Sequence, residues 1–584
     1  MIQALILLTI GLPWLGGLAV WVTTNQHPRA QHTFAVLFAV AAGLAALLML
    51  PYASATPAIV IPLGAQSVFG DLTFTPDGMS VFLAIIATVV GSLAVVFSVN
   101  YMHGDKQLGR YYELVLLFIG AMAGLALTGS LLFLFVFWEI TAFCSFALIA
   151  FNNDDPKAVA GGIKALIITS LGGVGLLMGA LIIYANTGSY QIADFLAKAG
   201  TLPKDILALI AFGFLIAAAA KSAQFPFQTW LPDAMEAPTP VSALIHAATM
   251  VNAGVYLLAR FYPAFKDVPG WTTAVICVGL LSALLAGFMA IVANDLKRAL
   301  AYSTVSQLGF MVYAIGVGGV YASQFHLLSH AIFKALLFLG AGAVIHAVGT
   351  RDMRLMGGLG KKMPFVRTTF VIGALALAGI PILNGFWSKE LILEAGADKG
   401  PLWAYLLMLL CVGMTAVYTF RMVYLVFFGE PRSQLHAHDA QTAMKVSLGL
   451  LAFGSLTTWL LAGPLYELLT STLPFHKFTE LTTVEMVQEV ITSPATYLVL
   501  VIIAIGALGW WMRDRLAGIT QHLQGLGRAG INSFGFEAIN RGVVRVTQDS
   551  AEALRVTQTG LLSWNVAGIA VGLIVVLVIL AWGK

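Results

Sequence analysis

The sequence predicts an all-α polytopic membrane protein of about sixteen transmembrane helices, and three observations carry that expectation. Hydrophobic residues fill 59% of its 584 positions and charged residues only 10%, for a mean hydropathy of +0.89. A soluble chain of this size has no use for so much apolar surface. Apolar runs of about twenty residues recur along the whole length, each long enough to cross a bilayer as a helix. Prolines and ionisable residues interrupt several runs, so broken helices around a polar interior are expected.

In chain order the spans read 2–22, 33–52, 79–101, 111–129, 131–151, 159–185, 205–222, 239–262, 271–292, 297–318, 324–347, 366–398, 402–428, 443–465, 494–512 and 561–582. The apolar start lacks a basic n-region and a small-residue cleavage site, and reads as a first span rather than a removed signal. Residues 1–110 group as N-terminal helices, 111–262 and 271–428 as two five-helix repeats, and 429–512 as additional spans. An amphipathic lateral segment follows at 513–560, then a final span at 561–584. Basic residues crowd the loops of one side, among them Lys106, Arg110, Lys157, Lys297, Arg298, Arg351, Arg354, Lys361 and Lys362. The positive-inside rule then places the N-terminus outside, and an even number of spans returns the C-terminus to the same side.

The repeat rests on an internal echo. Ile163-Lys164-Ala165-Leu166 recurs as Phe333-Lys334-Ala335-Leu336, 170 residues on, and Lys221 and Lys389 are 168 residues apart. Five spans separate the copies, and an odd number inverts the second relative to the first, an architecture of transporters. In the lateral segment, Phe536, Ile539, Val543 and Val546 recur at spacings of three and four among Arg541, Arg545 and Arg555. That pattern predicts a helix lying along a membrane or partner surface. Gly525 to Gly530 matches GxGxxG by letter, but neither strand nor βαβ unit surrounds it, so the match is read as chance. The cysteines Cys144, Cys277 and Cys411 stand singly, with no disulfide framework and no iron–sulfur spacing. No cofactor and no nucleic-acid partner is expected.

The stretch from Lys221 to Gly254 organises the rest. Fifteen uncharged residues, Ile206 to Ala220, deliver Lys221 deep into an apolar helix. Pro226, Pro232, Pro238 and Pro240 follow, each removing a donor and crowding the preceding turn. The helix should break at the lysine, run as irregular backbone, and restart at Pro240 in a helix carrying His246. Span twelve repeats the device, with Gly379-Ile380-Pro381 and Asn384-Gly385 interrupting the run before Lys389 and Glu390.

Charges within spans are costly, so each asks for a reason. The candidates are Glu139, Lys164, Lys221, His246, His326, His330, Lys334, Lys389 and Glu390. A buried lysine loses hydration and releases its proton more readily, while a nearby carboxylate restores the charged form, so a mobile Glu139–Lys221 contact would switch proton affinity. His326, His330 and Lys334 fall at i, i+4 and i+8, a ribbon on one helix face suited to proton hopping. Zinc or satisfied helix-contact histidines are the competing readings, and the metal lacks a further ligand at suitable spacing. Lys389 could instead snorkel to an interface. Asp233, Glu236, Asp295, Lys297 and Arg298, at span edges, are expected to be solvated loop charges, and His436 and His438 make a weak metal motif.

Four segments carry a resemblance: WLPDAMEAPTPVSALIHAATM, NDLKRALAYSTVSQLG, HLLSHAIFKALLFLGAG and GIPILNGFWSKE. They resemble the antiporter-like subunits shared by respiratory complex I and multisubunit Mrp-type cation/proton antiporters. The resemblance implies two inverted five-helix bundles with discontinuous helices and a central polar axis. It also implies Glu139 and Lys221 as an ion pair, His246, His330 and Lys334 as a connecting relay, and Lys389 as the terminal lysine on the exit side. FWEITAFCSFALIAF and GTRDMR look closer to the large A subunit of Mrp antiporters, ALIHAATM and KKMP to the distal subunit of complex I. Mrp A subunits usually carry lysine where Asn252 stands, a departure at one step of that relay.

The function expected is a proton-translocating, A-subunit-like membrane subunit of a larger complex, with sodium exchange as a further expectation. The alternative is the distal proton-pumping subunit of a complex I or membrane hydrogenase. Other membrane subunits, protons, sodium and lipid are the expected partners, and a bacterial inner membrane the expected location.

Overall fold

The computed structural model describes residues 1–63, 69–433, 437–513, 515, 524–555 and 571, and the chain divides into two units, Met1–Leu523 and Gln524–Lys584. The first unit is a bundle of long helices, and twelve helices among the described residues are long and apolar enough to cross a membrane. Three predicted spans fall outside those twelve. Lys204–Lys221 and Leu296–Gly316 carry polar or charged residues within their length, and the twelfth span is split into Pro364–Ala378 and Asn384–Lys399. The predicted span 561–582 lies outside the described residues.

Observed ends differ from the expected ones where a cap decides them. The second helix runs Pro28–Leu47, starting five residues early, because Pro28 supplies the first helical position without needing a donor. The fourteenth continues to Thr472, kinked through a 3₁₀ turn at Thr458–Leu461. Helix Thr483–Thr492, unforeseen in the sequence, starts at a capping box in which Thr482 and Glu485 satisfy each other's backbone donors. The chain is not purely helical: Ile59–Ile61 pairs antiparallel with Leu72–Phe74, Ile59 opposite Phe74. That ribbon leads into Asp77, which caps helix Gly78–Tyr101 by accepting from the Ser80 amide at 2.9 Å.

Both expected breaks are present, and they are built differently. After Lys221 the chain turns, forms the short helix Trp230–Asp233 and a 3₁₀ turn, and restarts at Thr239. The restart is interrupted again. A π turn spans Leu244–Ala248, and Thr249 (φ −128°, ψ −110°) separates it from helix Met250–Phe265. In the second break, helix Pro364–Ala378 ends on Gly379 at φ +86°, a left-handed position that glycine takes without penalty.

In the second unit, Phe536–Arg555 is a helix, as the periodicity predicts. The GxGxxG letters lie on helix Gln524–Ile531 rather than on a strand-to-helix loop, which suits the chance reading.

Candidate functional site

Lys221 is the last residue of helix Lys204–Lys221 and is wholly buried. Its position in the final turn sets the ammonium against the negative end of its own half-helix. Nζ donates to the Trp138 carbonyl at 2.7 Å and sits 5.0 Å from the centre of the Trp138 ring. The irregular segment that follows is bonded at several points, though both amide atoms of Gln228 are buried without a partner. Ser222 Oγ donates to the Val251 carbonyl, the Trp230 indole to the Ala220 carbonyl, and the Phe225 amide to Ser282 Oγ. Those bonds satisfy backbone that lipid could not.

Glu139 neighbours Trp138 on helix Leu131–Ile149 and lies within electrostatic reach of Lys221. The two do not form a direct ion pair. Glu139 Oε2 instead accepts from Ser170 Oγ at 2.7 Å, and Oε1 is buried with no protein donor. The expected Glu139–Lys221 contact is therefore corrected to a side-by-side arrangement with separate partners. Glu139 fits there because residue 173 is glycine: a Cβ at that position would stand 2.4 Å from Oε1.

Lys164 does not join them. It lies six residues before Ser170, about 9 Å down the same helix, and its Nζ bonds Asp233 Oδ2 at 2.8 Å. Asp233 also takes Arg298 at 3.1 Å, and Arg351 bonds both Glu236 and Asp295 at 3.0 and 3.2 Å. Lys297 is 3% exposed and donates to the Ala237 carbonyl at 2.6 Å. The edge charges are thus a paired network, not solvated loops. Tertiary folding brings the break after Lys221 onto the start of helix Leu296–Gly316. Arg351, in the loop, gains charge stability there: burial opposes its charge, but the Glu236 hydrogen bond and the Asp295 charge hold its guanidinium above the usual arginine range.

The remaining candidates form a buried file. His246 stands in the π turn, which re-aims its ring against Phe338 (centroids 4.7 Å apart), and Lys334 lies within its electrostatic reach. Lys334 donates to Ser303 Oγ and, at 3.2 Å, to the Leu300 carbonyl. One turn back on helix Val320–Val348 stands His330, then His326, with ring centroids 6.4 Å apart. His326 Nδ1 meets Ser388 Oγ at 2.9 Å, on the residue before Lys389. Lys389 Nζ donates to the Leu377 carbonyl in the last turn of Pro364–Ala378. It reaches the negative end of a half-helix, as Lys221 does from within its own, and half-helix ends are where transporter folds hold cations. Glu390 is 4% exposed and accepts from Thr496 Oγ1 at 3.1 Å.

His246, His326, His330, Lys334, Lys389 and Glu390 are all buried, as are Ser303, Gln307, Ser388 and Asn384. Both ring nitrogens of His246 and His330, and both amide atoms of Gln307, meet no protein partner. Buried polar atoms are satisfied almost without exception, so water bridges belong between these groups. The neutral members escaped the sequence reading, which tested only charges. Their signal was present: LKRALAYSTVSQLG puts five hydroxyl- or amide-bearing residues into one span that proves buried almost throughout. His436 lies outside the described residues, and His438 Nδ1 sits 3.2 Å from the Asp439 carbonyl.

Residues 128–415 match the family described as NADH:quinone oxidoreductase/Mrp antiporter, TM, and residues 65–112 that described as NADH-Ubiquinone oxidoreductase (complex I), chain 5 N-terminus. A curated relative, NAD(P)H-quinone oxidoreductase chain 5 of Picosynechococcus sp., is 44% identical over 383 residues, 62% of this chain and 57% of its own. F(420)H(2) dehydrogenase subunit L of Methanosarcina mazei is 41% identical over 423 residues, 65% of this chain and 63% of its own. The chain thus spans less than two thirds of the length of these relatives. A solved Mrp complex from Dietzia sp. contains a chain with TM-score 0.84 and 28% identity, over 100% of this chain and 63% of that one. A chain of the membrane-bound sulfane sulfur reductase, an archaeal respiratory complex, gives TM-score 0.71 and 29% identity over 80% of this chain and 96% of its own.

Proposed function

We propose, on the premise that this chain belongs to the antiporter-like membrane-subunit family shared by respiratory complex I and Mrp antiporters, that it is the proton-translocating subunit of a multisubunit membrane complex. The observation that carries this is the buried file itself. Lys221 stands at the first broken helix, and His246, Lys334, His330, His326 and Lys389 lead on to the second, each anchored to a carbonyl or hydroxyl or left open to water. Groups so costly to bury are kept where charge must pass.

In this mechanism Lys221 shuttles between the Trp138 carbonyl and Glu139. When Glu139 turns from Ser170 toward it, the ammonium is stabilised and holds its proton. When Glu139 turns back, the proton leaves for His246 and passes through water along Lys334, which takes it up and releases it on Nζ. His330 and His326 each take it on one ring nitrogen and release another from the second. Lys389 then releases it beside Glu390, on the side where the positive-inside rule puts the N-terminus. Assigning residues 111–262 and 271–428 to two inverted repeats belongs to the same proposal, and the paired breaks and the Lys164/Lys334 echo support it.

The test is proton uptake by proteoliposomes holding the whole complex. Lys221→Met and Lys334→Met should each lower uptake by about a hundredfold or more, with the chain still present in the complex at its normal amount. Wild-type uptake in both would sink the proposal.

The driving reaction has two readings. An Mrp-type assembly, with sodium exchange as the partner reaction, is supported by the whole-chain likeness to a chain of the Dietzia Mrp complex. Coupling to a quinone- or F420-linked dehydrogenase is supported by 41–44% identity to subunits of such enzymes. Co-purifying chains separate them: redox subunits in one case, small antiporter subunits in the other.

A further inference from the structure

A second set of buried polar groups lies off the file. Helix Met250–Phe265 starts just after the π turn of His246, and it is buried on nearly every side. Asn252, Tyr256 and Arg260 follow at i, i+4 and i+8, so they share one face. A helix meant only to pack would fill such a face with aliphatic side chains. Here Asn252 Nδ2 donates back to the Ala247 carbonyl in the π turn at 2.7 Å, and its Oδ1 meets no protein donor. The Tyr256 hydroxyl donates to the Ala126 carbonyl at 3.0 Å and adjoins Ser80, whose own buried hydroxyl has no protein partner. Arg260 then closes a two-bond ion pair with Asp77, Nη1 to Oδ1 at 2.7 Å and Nη2 to Oδ2 at 2.5 Å. Each side chain is 5% exposed, and Arg260 Nε is a further buried donor with no protein acceptor. His476 covers the pair from the loop after helix Ala462–Thr472, its Nε2 at 2.9 Å from the Ala259 carbonyl.

We propose that Asn252, Tyr256 and the Asp77–Arg260 pair form a second proton path. It branches from the His246 end of the file and leads to the end of the molecule that bears Asp77. The inference rests on the proton-carrying reading above. Three buried atoms without a hydrogen-bond partner, Asn252 Oδ1 and Arg260 Nε on this face and Ser80 Oγ on the helix beside Tyr256, need water, and that water supplies the links side chains do not. A proton leaving His246 passes to water at Asn252. Tyr256 takes it on its hydroxyl oxygen and, swinging its own proton from the Ala126 carbonyl, gives that proton to Ser80 Oγ, whose displaced proton passes through water to the Asp77 carboxylate. Arg260 is the gate. While paired it keeps Asp77 ionised and the outlet shut, and Asp77 binds the arriving proton only when the guanidinium moves aside. The path ends at residue 77 and at the loop of residue 476, ends that the positive-inside reading assigns to the outer face. It gives the first half of the molecule an outlet separate from Lys389 and Glu390.

Two measurements on vesicles holding the complete complex test this. Tyr256→Phe removes one hydroxyl and keeps the ring packing. Proton uptake should fall by about tenfold or more, with the chain present at wild-type amount. Asn252→Cys, treated from the Asp77 side with a membrane-impermeant methanethiosulfonate and read by peptide mass spectrometry, should be labelled. Labelling should quicken by about tenfold when the ion pair is replaced by the neutral, similarly shaped Asp77→Asn/Arg260→Gln pair, which leaves no lone buried charge. Wild-type uptake in Tyr256→Phe, or an Asn252→Cys thiol that no reagent reaches from that side, overturns the branch. Lys221→Met tells which reading has failed. If that variant loses uptake while Tyr256→Phe keeps it, the branch alone is wrong; if both keep it, proton carriage by the file is wrong.

Discussion

Single residues decide where the buried charges can rest. Gly173 is a positioning residue: a methyl there would meet the mobile end of Glu139 rather than backbone, so the fold can absorb it but the carboxylate cannot stay. Gly173→Ala should therefore assemble normally and lower proton uptake by about tenfold or more, since displacements near 1 Å cost that much in aligned transfer. Ser170→Ala, which frees Oε2 without moving it, should have a milder effect in the same assay. His476 gives a pH signature. Burial holds its imidazole down to about 4, with Arg260 adding to the effect and the Ala259 carbonyl and Asp77 opposing it. The unfolded chain takes up that proton near pH 6.5 and the folded one near 4, so stability is complete above 6.5 and falls as pH drops between the two. By pH 5 the loss is about 2 kcal/mol. His476→Asn should flatten that fall in thermal unfolding midpoints measured at pH 7 and pH 5.

At the scale of elements, the two breaks carry the design. Each places a lysine against the carbonyl end of a half-helix, Lys221 from within and Lys389 from across the gap. The second break depends on close backbone approach, because a Cβ on residue 385 would stand 2.0 Å from the Ala376 carbonyl oxygen. Backbone cannot give as a side chain can. Gly385→Ala should destabilise the chain by about 2–3 kcal/mol, read as a lower unfolding midpoint of the detergent-purified complex. The π turn at Leu244–Ala248 is the other decisive element. It turns His246 toward Phe338 and Lys334 where an unbroken helix would aim it elsewhere, and such turns gather at functional sites.

Across the whole molecule, segments far apart in sequence are tied by charge at the end opposite Asp77. Asp233 and Glu236, within the first break, bind Lys164, Arg298 and Arg351, while Arg351 also binds Asp295 at the cap of helix Leu296–Gly316. A shift of the segment after Lys221 is therefore felt at the helix that supplies Ser303 to Lys334. Arg351→Ala leaves Glu236 without its arginine partner and should weaken that coupling: proton uptake falls several-fold while Lys221 and Lys334 remain in place. Restoring the charge with Arg351→Lys should recover only part of it, because lysine cannot make the forked contact.

Composition and hydropathy were enough to give the membrane class, helices in the fifteen expected spans that fall within the described residues, and the two breaks. Those follow from local chemistry: proline and glycine interrupt helices wherever they stand, and apolar length alone satisfies a bilayer. The intramembrane charges were legible for the same reason, since lysine and glutamate stand out against leucine. Partners were not. That Lys221 rests on a carbonyl instead of on Glu139, that Lys164 belongs with Asp233, and that Lys297 is buried all depend on segments far apart in sequence. So do the buried glutamine and hydroxyls between Lys334 and Lys389, whose types are ordinary and whose burial is what makes them count. Sequence reveals which groups are expensive to bury; only packing decides what they face, because hydrogen bonds act over about 3 Å and no local pattern brings helices that close.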